Sequence, residues 1–344
     1  MHSHKFWSLS LSLRLLIVFD FKFLDSSTEF IFGESIDSLR DTTGRSDEFL
    51  QAFNMALAGA GKRLNMGGAF SFIYAFDTSW KKNCAKVHDF IDQGIAQFYC
   101  QKTEKSTESP GSSKGRYVLI EGMAENIKNP IELRFHLLNI FFPARDTSAV
   151  AVSNALFFLA RNPHIWKELR SEAVQVKDRP MTYELLKSLQ TFRYTLFEAI
   201  RLQGPSGQTR RIALRDTTLP RGGGPDGSAP VFVPKGTKVY CNNFPGYRNK
   251  DLWGDDILEF RPSRFKGKLF SNWEFTPFFG GPRICPASNQ VIAQGVYVLL
   301  RLVLEFEEIE NRDPCWEYVE ATRMLVESRN GVKIALHPRR EDNR

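Results

Sequence analysis

The run Phe278-Phe279-Gly280-Gly281-Pro282-Arg283-Ile284-Cys285-Pro286 carries the residues best suited to chemistry in this chain. A lone cysteine in a loop is most often a small buried hydrophobe. Its neighbours point elsewhere here. Two adjacent glycines let the backbone turn tightly and come close to a flat ligand. Arg283, two residues before the sulfur, is placed to pair with a carboxylate on such a ligand. Pro286 suits the first position of a helix, which predicts Cys285 at a helix N-terminus. There the dipole and the free N–H groups favour a thiolate.

A second group is Phe142-Pro143-Ala144-Arg145-Asp146-Thr147-Ser148, set inside an apolar run from Ile131 to Ala160. Charged and hydroxylated groups there are costly unless satisfied. Pro143 cannot donate to the carbonyl of Asn139, so a kink or widened groove is expected. Ala144 is small enough to let a ligand approach. Two readings stand: a functional groove, or a break after which Asp146, Thr147 or Ser148 caps a new helix. The patch alone favours the break. A third group, Glu198-Ala199-Ile200-Arg201, is an i,i+3 ion pair that at a surface contributes only about 0.2–0.5 kcal/mol. It gains meaning from Phe260-Arg261-Pro262-Ser263-Arg264-Phe265 downstream. Arg211, within Arg210-Arg211-Ile212-Ala213, is either a surface arginine or one that faces a ligand.

The elements that must position these residues are mostly helical. Apolar spacing predicts helices over Ser46 to Ala60 and Trp80 to Gln101. Residues 102–117 are polar and Ser/Lys-rich, which reads as a solvated loop. The helix from about Ile131 to Ala160 is apolar nearly all round and is expected inside the domain. Asn162-Pro163 ends it. Further helices follow at His164 to Val176, Thr182 to Leu189 and Phe192 to Leu202. Residues 204–245 shift to turns and short strands, such as Pro230 to Val233 and Thr237 to Tyr240. A last helix is expected from Ala287 to Phe306, and Asn330-Gly331 reads as a hairpin turn. The pattern is mainly α, of the α+β class.

Composition removes several function classes. The 344 residues are 42% apolar, which excludes wholesale disorder. The charge of +7 is spread along the chain rather than gathered in the stripe a nucleic-acid protein shows. Five cysteines with no CxxC argue against a zinc ribbon or a disulfide scaffold. Gly59-Ala60-Gly61-Lys62-Arg63 lacks the Ser/Thr of a phosphate loop, and Gly222-Gly223-Gly224-Pro225 reads as a turn. Phe6 to Leu24 is apolar but carries Arg14, Asp20 and Lys22, so it is read as an unassigned leader and not as a membrane anchor.

A thiolate presented as Cys285 is expected to be is what a haem iron needs if an O–O bond is to be split. Phe278, Gly281, Arg283 and Cys285 resemble four positions of the FxxGxRxCxG haem loop of the cytochrome P450 family; Ala287 replaces the final glycine. The Ala144 to Ser148 stretch resembles the family's oxygen-binding motif, with Pro143-Ala144 in place of the common Ala-Gly. By that resemblance Thr147 meets the dioxygen and Asp146 relays protons. Glu198, Arg201 and Arg264 resemble the family's buried structural triad, and Arg211 the strand arginine that meets a haem propionate.

The resemblance runs from about Leu24 to Leu336. It implies haem b (iron protoporphyrin IX), with electrons from NADPH through NADPH-cytochrome P450 reductase. It also implies a hydrophobic substrate, peripheral membrane contact and a place at the endoplasmic reticulum membrane, with the cytosol as the alternative for want of a clear anchor. Leu24-Asp25-Ser26-Ser27-Thr28-Glu29-Phe30, Gly33-Glu34-Ser35 and Arg215 to Gly224 are similar to fungal alkane- and fatty-acid-hydroxylating members. In the family the segment near Asp25 lies well inside the chain. The expectation is therefore a leader over residues 1–24 followed by a partial domain over 25–344, N-terminally shortened. The alternative is an inactive fragment with weak or no haem binding.

Overall fold

The computed structural model describes residues 15–66, 74, 76–105, 118–268, 270, 271, 273–322 and 325–338. The first 14 residues of the expected leader and most of the polar run 102–117 lie outside the described residues. Helices dominate the first two-thirds: α1 (Leu15–Phe32), α2 (Arg45–Met66), α3 (Thr78–Lys105), α4 (Leu119–Asn126), α5 (Pro130–Arg161), α6 (Pro163–Val174), α7 (Tyr183–Ser188) and α8 (Gln190–Gln203). Strands β1 (Gln208–Ile212), β2 (Thr217–Gly223), β3 (Ala229–Val233) and β4 (Lys238–Asn242) follow. Then come α9 (Phe244–Tyr247), α10 (Lys250–Trp253), the long α11 (Ser288–Glu305), β5 (Phe306–Asn311), β6 (Glu320–Thr322), β7 (Val326–Ser328) and β8 (Ile334–Pro338). The strands form antiparallel pairs: β1 with β4, β2 with β3, β5 with β8 and β6 with β7. This is the mainly helical α+β architecture expected.

Local chemistry explains the helix ends that matter. Asn129 caps α5, its side chain accepting from the backbone N–H groups of Ile131 (2.9 Å) and Glu132 (3.4 Å), and Pro130 opens the first turn. Asn162 and Pro163 stop α5 and start α6. The start of α2 is held by Asp41, whose carboxylate accepts from the backbone N–H groups of Thr43 and Ser46, both at 2.7 Å. The capping side chain is thus upstream of Ser46. Gly59 is required by packing: a Cβ there would meet Trp80 at 2.1 Å.

α5 joins two cores. Its first half supplies Leu133, Leu137 and Phe141 to a cluster with α1, α2, α3 and α4. Its second half, from Ala149 to Ala160, packs with α6, α8 and α11. The helix is not buried all round, because Ile131 and Phe135 on its first half are exposed. The break expected within the patch does not occur, and α5 runs unbroken through Pro143. The Asn330-Gly331 turn forms, with Gly331 at φ 72°, but it does not close a hairpin. It links β7 to β8, and each takes its partner from elsewhere, β6 and β5. α1 crosses the expected boundary at residue 24, with Phe23 and Leu24 buried. No helix among the described residues is long and apolar enough to cross a membrane.

Candidate active site

The triad is assembled as expected. Glu198 and Arg201 lie one turn apart on α8, and both are fully buried. The Glu198 carboxylate accepts from Arg201 Nε (2.7 Å), Arg201 Nη2 (2.9 Å) and Arg264 Nε (2.7 Å). The backbone N–H of Arg261 also donates to it, at 3.0 Å. Arg264 donates further to the carbonyls of Trp253, Asp256 and Glu259. Such saturation is what a buried ionic cluster needs to offset its desolvation.

A hydrogen-bonded path leads from the triad to the cysteine loop. Arg201 Nη1 donates to the carbonyl of Tyr247 at 2.9 Å. The Tyr247 hydroxyl accepts from the backbone N–H of Thr276 at 3.1 Å. The Thr276 carbonyl accepts from Asn243 Nδ2 (3.0 Å) and from the backbone N–H of Phe279 (3.0 Å). The Cys285 N–H closes the loop by donating to the carbonyl of Phe278 at 3.1 Å. Phe279 (φ 58°) and Gly281 (φ 73°) occupy the left-handed region, and Phe279 is the residue strained by it. Around this path Trp253, Phe265, Phe270 and Phe275 pack ring on ring. Tyr247 was not legible as a site residue in the sequence. Its importance comes from Thr276, 29 residues away.

Cys285 is a free, half-buried thiol. It lies just ahead of α11, whose first residue is Ser288, so Pro286 does not open the helix and Cys285 is not its N-cap. A turn through Pro286 and Ala287 comes between them. Phe278 is half-buried, while Gly281 and Arg283 are exposed. Arg211 is exposed on β1, where its Nη1 donates to Thr209 Oγ1 (2.7 Å) and to the Arg210 carbonyl (2.8 Å).

The α5 patch falls at the junction of the two cores, where Arg145 and Ser148 are buried. Pro143 is exposed, and Ala144, Asp146 and Thr147 are half-buried. The Thr147 hydroxyl donates to the Pro143 carbonyl at 2.6 Å. Asp146 Oδ1 accepts from Arg145 Nε. Burial pushes the Asp146 carboxyl above the usual carboxylate range, against the pull of the Arg145 guanidinium.

These residues fit a haem. The donor set is one free, half-buried thiol on a turn, with an exposed arginine two residues away that has no acidic partner among the described residues. Ile284 and Trp273 beside it are uncovered apolar surface, 52% and 76% exposed. A flat, apolar, iron-bearing ligand with carboxylates matches all three features.

The comparisons with known proteins agree. The cytochrome P450 family matches residues 14–314. The chain is 36% identical over 327 residues to the cytochrome P450 monooxygenase himC of Aspergillus japonicus, covering 91% of this chain and 56% of that protein. It is 38% identical over 320 residues to the cytochrome P450 monooxygenase iccC of Talaromyces variabilis, covering 92% and 62%. Cytochrome P450 52A3-A of Candida maltosa is 35% identical over 336 residues, covering 91% and 62%. The chain thus spans a little over half the length of these relatives. By this match, and by the triad that ties α8 to the Cys285 loop, the chain belongs to the cytochrome P450 family.

Proposed function

We propose that this chain serves a haem-dependent monooxygenase that inserts one oxygen atom from O2 into a long apolar substrate, an alkane or a fatty acid. The observation that carries the reading is the free Cys285 thiol on a loop anchored, through Thr276 and Tyr247, to the buried triad. A bound haem supplies the redox chemistry that splits dioxygen. The protein's own residues supply the rest. Cys285 Sγ would hold the iron as a thiolate, Arg283 and Arg211 would meet the propionates, and Phe278 and Gly281 shape the cradle. Thr147 has spent its proton on Pro143 and keeps its oxygen lone pairs for accepting a hydrogen bond. Asp146 Oδ1 is engaged by Arg145, which leaves Oδ2 to carry a proton.

Electrons would come from NADPH through a reductase. A cavity of about 300 Å³ beside Phe278 is rimmed by Lys187 and Arg193, which suits an acidic partner. The alkane or fatty-acid class rests on the Leu24 to Ser35 and Arg215 to Gly224 stretches.

The test is the absorption band of the reduced, carbon monoxide-bound protein. Wild type should show the band of a thiolate-ligated haem, and Cys285→Ala should lose it while still folding. A wild-type chain that purifies without haem when haem is supplied would overturn the reading in favour of an inactive fragment.

A further inference from the structure

Arg145 is a full cation only 1% exposed, set on α5 between the two cores. Its Nε donates to Asp146 Oδ1, its Nη2 donates to Asn54 Oδ1 on α2 at 3.0 Å, and its Cζ lies 4.4 Å above the centre of the Phe53 ring. Its Nη1 is buried with no partner among the described residues. A cation kept only for packing is poorly explained here, since an apolar side chain of similar volume fills such a space at less cost. What a cation adds is a charge beside Asp146 and a tether to α2. α2 is itself seated on α5 by rings: Phe53 lies 5.6 Å from Phe141 and 6.4 Å from Phe142, centre to centre.

We propose that Arg145 and Asn54 are positioning residues for Asp146: Arg145 holds the carboxylate toward α2, and Asn54 fixes Arg145, so that the seating of α2 sets how the acid carries its proton. The inference rests on the reading of Asp146 as a proton carrier. Arg145, on α5 itself, is the charged group that acts on the acid; α2 faces the cluster with the uncharged Asn54 and Phe53, and among the described residues no acid or base of α1, α3, α8 or α11 contributes. Burial works against the anion, and Arg145 alone opposes it. Any shift of α2 that draws Asn54 away loosens the guanidinium and returns the acid toward its protonated form.

The test is an infrared difference titration of the Asp146 carboxyl in the purified chain, with Asp146→Asn used to identify the band. Arg145→Gln should move the midpoint to higher pH, raising proton affinity about tenfold or more. Arg145→Lys should recover most of that shift. Asn54→Ala should move the midpoint the same way by about threefold, with a modest fall in the unfolding midpoint because Arg145 Nη2 loses its acceptor. A wild-type midpoint in either Arg145→Gln or Asn54→Ala overturns the proposal, and if Arg145→Gln does not fold, Asn54→Ala decides alone. The titration needs neither haem nor turnover. Shifted midpoints in a chain that never binds haem would uphold the positioning role and overturn the monooxygenase reading; unshifted midpoints in an active enzyme would do the reverse.

Discussion

Two buried charged clusters sit on neighbouring helices and are built on opposite principles. Around Glu198, four donors converge on one carboxylate, and the two arginines spend their remaining donors on backbone carbonyls and on the Asp256 carboxylate. Around Asp146 there is one arginine, with a buried donor to spare. The first cluster is fixed in its geometry by these bonds. The second is held at the edge of satisfaction, in the stretch of α5 between the two cores. A saturated ionic cluster serves architecture, and an unsaturated one is where proton chemistry can occur.

Breaking the first cluster should have the largest effect. Glu198→Ala leaves two buried guanidinium groups without their shared anion and should cost about 3–5 kcal/mol, read as a lower urea midpoint. A loss under 1 kcal/mol would mean the triad is not a keystone. Next comes the path from triad to cysteine. Tyr247→Phe strips the acceptor from the buried N–H of Thr276 and should cost about 1–3 kcal/mol. It should also weaken haem retention, measured as the haem-to-protein ratio after gel filtration.

A pH series sharpens the comparison through two aspartates, each beside an arginine. Asp146 is raised because burial dominates. Its native form therefore keeps a proton that the unfolded chain gives up near pH 4, and stability falls as pH rises from there through the raised value. Asp146→Asn should gain on wild type across that window. Asp256 also suffers burial, but Arg264 and Arg261 more than offset it, and its carboxyl is lowered. Its contribution is present above about pH 4 and is lost as pH falls through the lowered value, so Asp256→Asn should close the gap with wild type in acid. Stability differences that run the same way with pH for both variants would erase the distinction. The smallest effect expected is on folding in Thr147→Ala, within about 0.5 kcal/mol, since an i to i−4 hydroxyl bond adds little to a helix. The same variant should change the share of electrons that ends in product; no change there would remove Thr147 from the chemistry.

The local signals were legible where short-range chemistry decides. Asn162-Pro163 marked the end of α5, because a helix stop needs only the local backbone and its next residue. Glu198 and Arg201 could be paired by helical spacing. Pro286 misled, because Pro tolerance at a helix start does not say that a helix starts there; a turn intervenes before Ser288. Asn330-Gly331 specified a turn and not the strands it joins, since pairing is chosen by the rest of the sheet. The uninterrupted passage of α5 through Pro143 was equally out of reach: packing on both sides overrides the lost hydrogen bond.

By itself, then, the sequence determined the helix-rich class and the ends of the central helix, and it singled out the thiol, acid, hydroxyl and triad side chains as candidates. Only the tertiary structure decided that Tyr247 meets Thr276, that Asn54 meets Arg145 across 91 positions, and that the acid patch lands between two cores. The reason is range. Caps, turns and helical spacing act over a few residues, whereas burial and desolvation, which set the charge state of Asp146, depend on everything the fold packs around it.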